Sequence, residues 1–198
     1  MVDHIDGFER HALNDRHGFF SGSLPSALRP DSAGFEKLWD LHPDAFHEIL
    51  MHGRKVKTPR WQQAFGNDYH YTGNVNEAEP VPPLLESILG WSRTAIFEGL
   101  NGLLLNWYDG RLGHYIGAHH DSAKNMMADA PIVTISLGEE RIFRLSHPKT
   151  KEARDFPAKD GTVFVMPFDT NKTWKHEVPR FVRWQGRRIS ITIRAFLA

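Results

Sequence analysis

The chain has 198 residues, with 24 Lys and Arg balanced by 24 Asp and Glu, a length that predicts one domain and a charge balance that excludes a polycationic tail while allowing a local basic face. Hydrophobic residues at 40% and charged residues at 24% are globular values and exclude wholesale disorder. The absence of cysteine excludes disulfide scaffolds, thiolate zinc sites, iron–sulfur clusters and cysteine nucleophiles, so a metal would have to be held by His, Asp or Glu.

No run of about 18 apolar residues and no basic-then-apolar N-terminal pattern occurs. The expectation is a soluble intracellular protein, cytoplasmic or nuclear, monomeric and without a membrane partner. Residues 1–35 are expected to be irregular, with His4, His11 and His17 scattered near Pro25 and Pro30 as surface side chains. A single domain is expected over 36–198. Asp31 precedes a predicted helix whose apolar positions are Phe35, Leu38, Trp39, Phe46, Ile49 and Leu50, divided by Pro43 into two short pieces. A basic connector, His52 to Arg60, turns at Gly53. Residues 61–76 then carry Trp61, Phe65, Tyr69 and Tyr71 among polar neighbours. Pro82 and Pro83 start a second predicted helix with Leu84, Leu85, Ile88, Trp91 and Phe97 inward.

Beyond Gly102 the pattern changes. Leu103 to Tyr108 runs into Asp109-Gly110, a strand entering a turn, and Pro131 to Gly138 alternates and then breaks. Arg141 to Leu145, Thr162 to Met166, Trp174 to Val178 and Arg188 to Phe196 are further short strands. Such spacing predicts an antiparallel sandwich or barrel preceded by helices, an α+β class.

His119-His120-Asp121 follows Ile116-Gly117-Ala118. On extended backbone, residues two apart share a face, so His119 and Asp121 can meet one ion while His120 points away. His176, on a predicted strand, offers a third ligand. Two His and one carboxylate form the set that holds non-haem Fe(II) in oxygenases. Along the last strand, Arg188, Ser190, Thr192 and Arg194 share one face and Ile189, Ile191 and Ile193 the other. Two arginines beside two hydroxyls suit an anion, although a solvated edge strand would carry the same pattern.

Asn106-Trp107-Tyr108, Ile116 to Asp121, Ser136-Leu137-Gly138, Gly161 to Met166, His176 and Arg188 to Arg194 together resemble the AlkB family of 2-oxoglutarate- and Fe(II)-dependent dioxygenases. The resemblance covers about residues 50–196. It implies a double-stranded β-helix (jelly roll) with supporting helices and an N-terminal substrate lid, placed at about 50–75 on Thr58-Pro59-Arg60 and Tyr69 to Gly73. It implies iron on His119, Asp121 and His176. It also implies 2-oxoglutarate on Asn106, Tyr108, Arg188, Ser190, Thr192 and Arg194, with O2 as co-reactant. The activity implied is oxidative dealkylation of DNA or RNA bases, releasing succinate, CO2 and formaldehyde.

An enzyme of this kind extrudes its base and stacks it on a ring. His52, Tyr69, Tyr71 and Ser122 are the candidate substrate residues, with Trp61 as a further stacking ring. Arg54, Lys55, Lys57 and Arg60 provide cations for phosphates. One departure stands out. Family repair enzymes commonly carry acidic residues after His-X-Asp, where this chain has Ser122-Ala123. A protein or small-molecule hydroxylase using the same iron centre is therefore the alternative reading.

Overall fold

Period-two alternation on three neighbouring strands sets the architecture. In a computed structural model, which describes residues 4–51, 53–71 and 74–197, the strands are β1 (Glu9–Ala12), β2 (Gly18–Ser23), β3 (Glu48–Met51), β4 (Arg54–Lys57), β5 (Trp61–Phe65), β6 (Tyr69–Tyr71), β7 (Asn74–Asn76) and β8 (Ala78–Glu79). They continue with β9 (Gly102–Asp109), β10 (Ile116–His119), β11 (Ile132–Gly138), β12 (Arg141–Ser146), β13 (Ala153–Ala158), β14 (Thr162–Met166), β15 (Lys175–Val178) and β16 (Arg187–Arg194). The helices are α1 (Ser32–Trp39), α2 (Pro83–Ala95) and α3 (Phe168–Thr173).

Eight strands form one sheet in the order β1-β2-β14-β11-β16-β9-β5-β8, and four form a second in the order β10-β15-β12-β13. Apart from the parallel β5–β8 pair, both sheets are antiparallel. Two small hairpins, β3–β4 and β6–β7, stand apart from them. This is the jelly-roll arrangement expected, with helices as supports.

The large sheet has two distinct faces because side chains alternate along each strand. Leu103, Leu105 and Trp107 of β9, Val133, Ile135 and Leu137 of β11, and Ile189, Ile191 and Ile193 of β16 join Leu38, Trp39, Leu85, Ile88 and Leu89 of the helices in one apolar core. Asp31 caps α1 by accepting the Gly34 N–H at 2.8 Å. Pro83 opens α2 at a position where its missing N–H costs no helical bond. A second core between the sheets includes Leu104, Ile132, Phe143, Leu145, Phe164, Met166 and Trp174.

Three expectations are corrected. Residues 1–35, read as irregular, supply β1 and β2, and β2 pairs with β14 inside the large sheet. Gly18, Phe19 and Phe20 are buried there. The second helical piece after Pro43 is instead β3, whose Ile49 opposes Val56 across the β3–β4 hairpin; cross-strand pairing outweighs a weak local helical pattern. On α2 the inner face is Leu85, Ile88, Leu89 and Ser92, while Leu84 is exposed.

Candidate metal centre and substrate cavity

β10 and β15 pair antiparallel with His119 opposite His176. Asp121 follows β10 and is fixed by a side chain the sequence did not single out. Asn171 of α3 accepts the Asp121 N–H at 2.9 Å and donates to the Asp121 carbonyl at 3.0 Å. His119 and Asp121 thus reach the same point as His176, with potential ligand atoms all within 4.8 Å of one another. Both imidazole Nε2 atoms stand off the same carboxylate oxygen, Asp121 Oδ1, at 3.6 Å for His119 and 3.7 Å for His176. Those gaps exceed hydrogen-bond length and suit a common ion between the three groups. The His119 Nδ1–H donates to the Gly117 carbonyl at 2.8 Å, which leaves Nε2 as the lone-pair donor.

Protonation states fit a metal as well. Burial, with the neighbouring His119, pushes the His176 imidazole down to about 3, so it is a neutral ligand at physiological pH. Burial alone would raise the Asp121 carboxyl, but Arg194, His176 and His119 together hold it well below its usual range.

The cosubstrate candidates line the same cavity, whose volume is about 740 Å³, ample for a small diacid and part of a second molecule. Alternation carries Asn106 and Tyr108 of β9, and Arg188, Ser190, Thr192 and Arg194 of β16, to the face opposite the helical core. Arg188 and Arg194 are 0% and 2% exposed, so the solvated-edge reading fails. Arg188 Nε donates to Ser136 Oγ at 2.8 Å, and its guanidinium lies 5.0 Å from the Tyr108 ring centre. Burial draws its pKa down to about 10. Arg194 approaches Asp121 Oδ2 at 2.8 Å and lies 4.3 Å over the Tyr69 ring. Nη1 and Nη2 of Arg188, and Nε and Nη1 of Arg194, are buried without a hydrogen-bond partner among the described residues. Four orphaned guanidinium donors in one cavity are costly unless an anion meets them, and a dicarboxylate has a carboxylate for each arginine.

The mouth is lined by Ile49, Val56 and Lys57 of the β3–β4 hairpin, Tyr69 and Tyr71 of the β6–β7 hairpin, and Tyr115 and Ser122. His52, proposed from sequence as a substrate contact, lies outside the described residues, as do Thr72 and Gly73. Tyr69 is 6% exposed; it supports Arg194 and stacks on Tyr71 at 5.3 Å. Trp61 is withdrawn from substrate, being stacked between His42 (4.3 Å) and Phe46 (5.3 Å). His120, expected to point away, also lines the cavity. Arg60, read as a surface cation, is buried in the wall. No local pattern marked it: Arg60 precedes β5 and reaches Asn106 only through the pairing of β5 with β9, which sets Gln62 beside Asn106 in register.

Against known proteins, the model of the 2OG-Fe(II) oxygenase superfamily matches residues 40–194. A human DNA oxidative demethylase ALKBH2 is 25% identical over 82% of this chain and 66% of its own length, and the bovine ALKBH2 is 25% identical over 82% and 62%. The rat alpha-ketoglutarate-dependent dioxygenase alkB homolog 3 is 26% identical over 69% of this chain and 50% of its own length. The chain therefore spans about two thirds or less of the length of these relatives. The solved structure of OsALKBH1 superposes with a TM-score of 0.58 over 94% of this chain and 99% of that one, at 14% identity, a likeness of fold alone. The chain belongs to the 2OG-Fe(II) oxygenase superfamily and, by these relatives, to its AlkB family.

Proposed function

We propose that this protein is an Fe(II)- and 2-oxoglutarate-dependent dioxygenase that dealkylates bases in DNA or RNA. The observation that carries the reading is one cavity shared by the His119–Asp121–His176 cluster, the orphaned donors of Arg188 and Arg194, and the aromatic β6–β7 hairpin. His119, Asp121 and His176 would hold iron. Arg188 and Arg194 would each engage one carboxylate of 2-oxoglutarate, with Asn106, Tyr108, Ser190 and Thr192 completing its pocket. Bound together with O2, these groups supply oxidative decarboxylation to succinate and CO2 coupled to hydroxylation of a C–H bond, which frees an N-methyl group as formaldehyde.

The chain's own contribution is orientation and water exclusion. Asn171 clamps the Asp121 backbone, and Gly117 fixes the His119 tautomer. Phe143 packs against His176 with ring centres 5.6 Å apart, giving the metal side an apolar wall. The two hairpins act as the lid over residues 50–75, Tyr71 offers a stacking face, and Ser122 borders the substrate. We further propose that the protein acts as a monomer and, with a nucleic acid as substrate, inside the cell. No helix among the described residues is long and apolar enough to cross a membrane.

The ALKBH2 and alkB homolog 3 relatives support the nucleic acid reading. Its test is formaldehyde release from methylated single- and double-stranded oligonucleotides with Fe(II) and 2-oxoglutarate, using His176→Ala as the blank. Turnover should appear only with methylated strands. Succinate formation that no oligonucleotide stimulates would instead favour a protein or small-molecule hydroxylase.

A further inference from the structure

The hydrogen bonds of the cavity wall have a direction, and that direction selects a substrate. Arg60 can only donate. Its Nε donates to Asn106 Oδ1 at 2.6 Å and its Nη2 to Gln62 Oε1 at 3.2 Å. Both amides must therefore turn their oxygens to Arg60 and their NH2 groups away. The Gln62 Nε2 donates to the Tyr71 hydroxyl at 2.6 Å. Tyr71, having accepted, keeps its own O–H to donate. On the neighbouring ring, the Tyr69 hydroxyl accepts the Ser122 N–H at 3.4 Å, which again leaves its proton to give. All of these residues line the cavity.

The charges agree with the donors. Among the described residues, Asp121 is the one carboxylate that lines the cavity, against the four cations Lys57, Arg60, Arg188 and Arg194. Asp121 is committed to Arg194 and the histidines. Arg60 is 7% exposed and bonded only to neutral amides, so its charge is uncompensated on the wall. A bound Fe(II) and a 2-oxoglutarate dianion cancel each other and leave the excess intact. Ser122 accepts the Lys124 N–H at 3.3 Å, and Ala123 is exposed and outside the lining, so neither adds a negative group.

We propose that the base accepted here is an uncharged N-alkylated ring bearing carbonyl oxygens, of the thymine, uracil or guanine type, in preference to a cationic N-alkylated amino ring of the adenine or cytosine type. The inference rests on the dealkylase reading above and names its substrate class. A carbonyl oxygen accepts from Tyr71 and the neighbouring donors. An amino group on a cationic ring faces donors with donors and adds positive charge to a positive wall. Burial holds both the Tyr69 and Tyr71 hydroxyls near 12, so both remain donors throughout the working range.

The test compares two oligonucleotides identical except for N3-methylthymine or N3-methylcytosine, with Fe(II), 2-oxoglutarate and the full chain. Methylthymine should be turned over with the higher kcat/KM, by about tenfold or more, since a mismatched buried hydrogen-bond group is strongly rejected. Anaerobic binding by fluorescence anisotropy should rank the two alike. Gln62→Glu supplies a carboxylate that accepts from Arg60 and from Tyr71, and should shrink or reverse the preference. Tyr71→Phe, which deletes one hydroxyl, should shrink it while keeping the ring. Equal or better turnover of methylcytosine by the unaltered protein would overturn the substrate class while leaving the dealkylase reading intact. Absence of formaldehyde and of binding with both strands would overturn both.

Discussion

The metal side and the mouth of the cavity are built by different rules. The metal side is tied into regular structure, with Asp121, Asn171, Arg188 and Arg194 buried and the two histidines half-buried: His119 and His176 face each other across β10–β15, Asn171 holds Asp121 from α3, and Arg188 and Arg194 stand on β16 in the middle of the large sheet. The mouth is carried by two short hairpins outside both sheets, with Ile49, Val56, Lys57 and Tyr71 partly or fully exposed. Reaction chemistry requires fixed geometry, so it sits on the sheets. Substrate choice tolerates variation, so it sits on separable hairpins.

The sharpest break of this contrast is at the metal. His176→Ala or Asp121→Ala should reduce 2-oxoglutarate turnover to background with a folded chain, checked by succinate formation, bound iron and circular dichroism. His120→Ala should retain most of the activity, because His120 lines the cavity without belonging to the ligand cluster. Next in size, Arg194→Lys should weaken 2-oxoglutarate binding by about 2–5 kcal/mol, since it removes a planar donor set from a buried charge pair. Calorimetric titration measures that loss, and an unchanged affinity would remove Arg194 from the role.

At the mouth, Tyr71→Ala should cost roughly 1–3 kcal/mol of oligonucleotide affinity if its ring stacks on the base. The affinity of 2-oxoglutarate should stay unchanged, and oligonucleotide binding should weaken steeply with salt. Returning to the metal side, Asn171→Ala should lower iron affinity by about tenfold, the low end of the effect of losing an orienting partner. If iron affinity and turnover both stay unaltered, the backbone clamp on Asp121 is dispensable.

The smallest effect concerns pH. Burial lowers the His114 pKa in the folded chain, and its Nδ1 accepts the Asp109 N–H at 3.1 Å, the neutral form. The unfolded chain therefore binds a proton more readily. His114 contributes stability that is full above the unfolded value of about 6.5 and declines as pH falls below it. Denaturant unfolding at pH 7.5 and 5.5 should show a smaller loss for His114→Gln than for the unaltered chain.

The sequence by itself determined the elements with strong two-residue alternation and the chemistry written on them. On β16, Arg188 to Arg194 separates apolar from polar positions so cleanly that the buried polar face follows from the pattern. The same rule predicts a shared face for His119 and Asp121, but Asp121 lies beyond β10 and is brought to the cluster by Asn171. Local pattern is ambiguous where a strand is short and its partner distant. β1, β2 and β3 are not legible locally because pairing, of β1 with β2, β2 with β14 and β3 with β4, and no internal period, makes them strands. Only the tertiary structure could show that Arg60 lies in the wall, that Asn171 holds Asp121, and that Trp61 is consumed by stacking between His42 and Phe46. Asn171 lies 50 residues from Asp121, and Arg60 lies 46 from Asn106. Side chains meet across such separations through the closure of two sheets, and hydrogen-bond direction exists only once they have met.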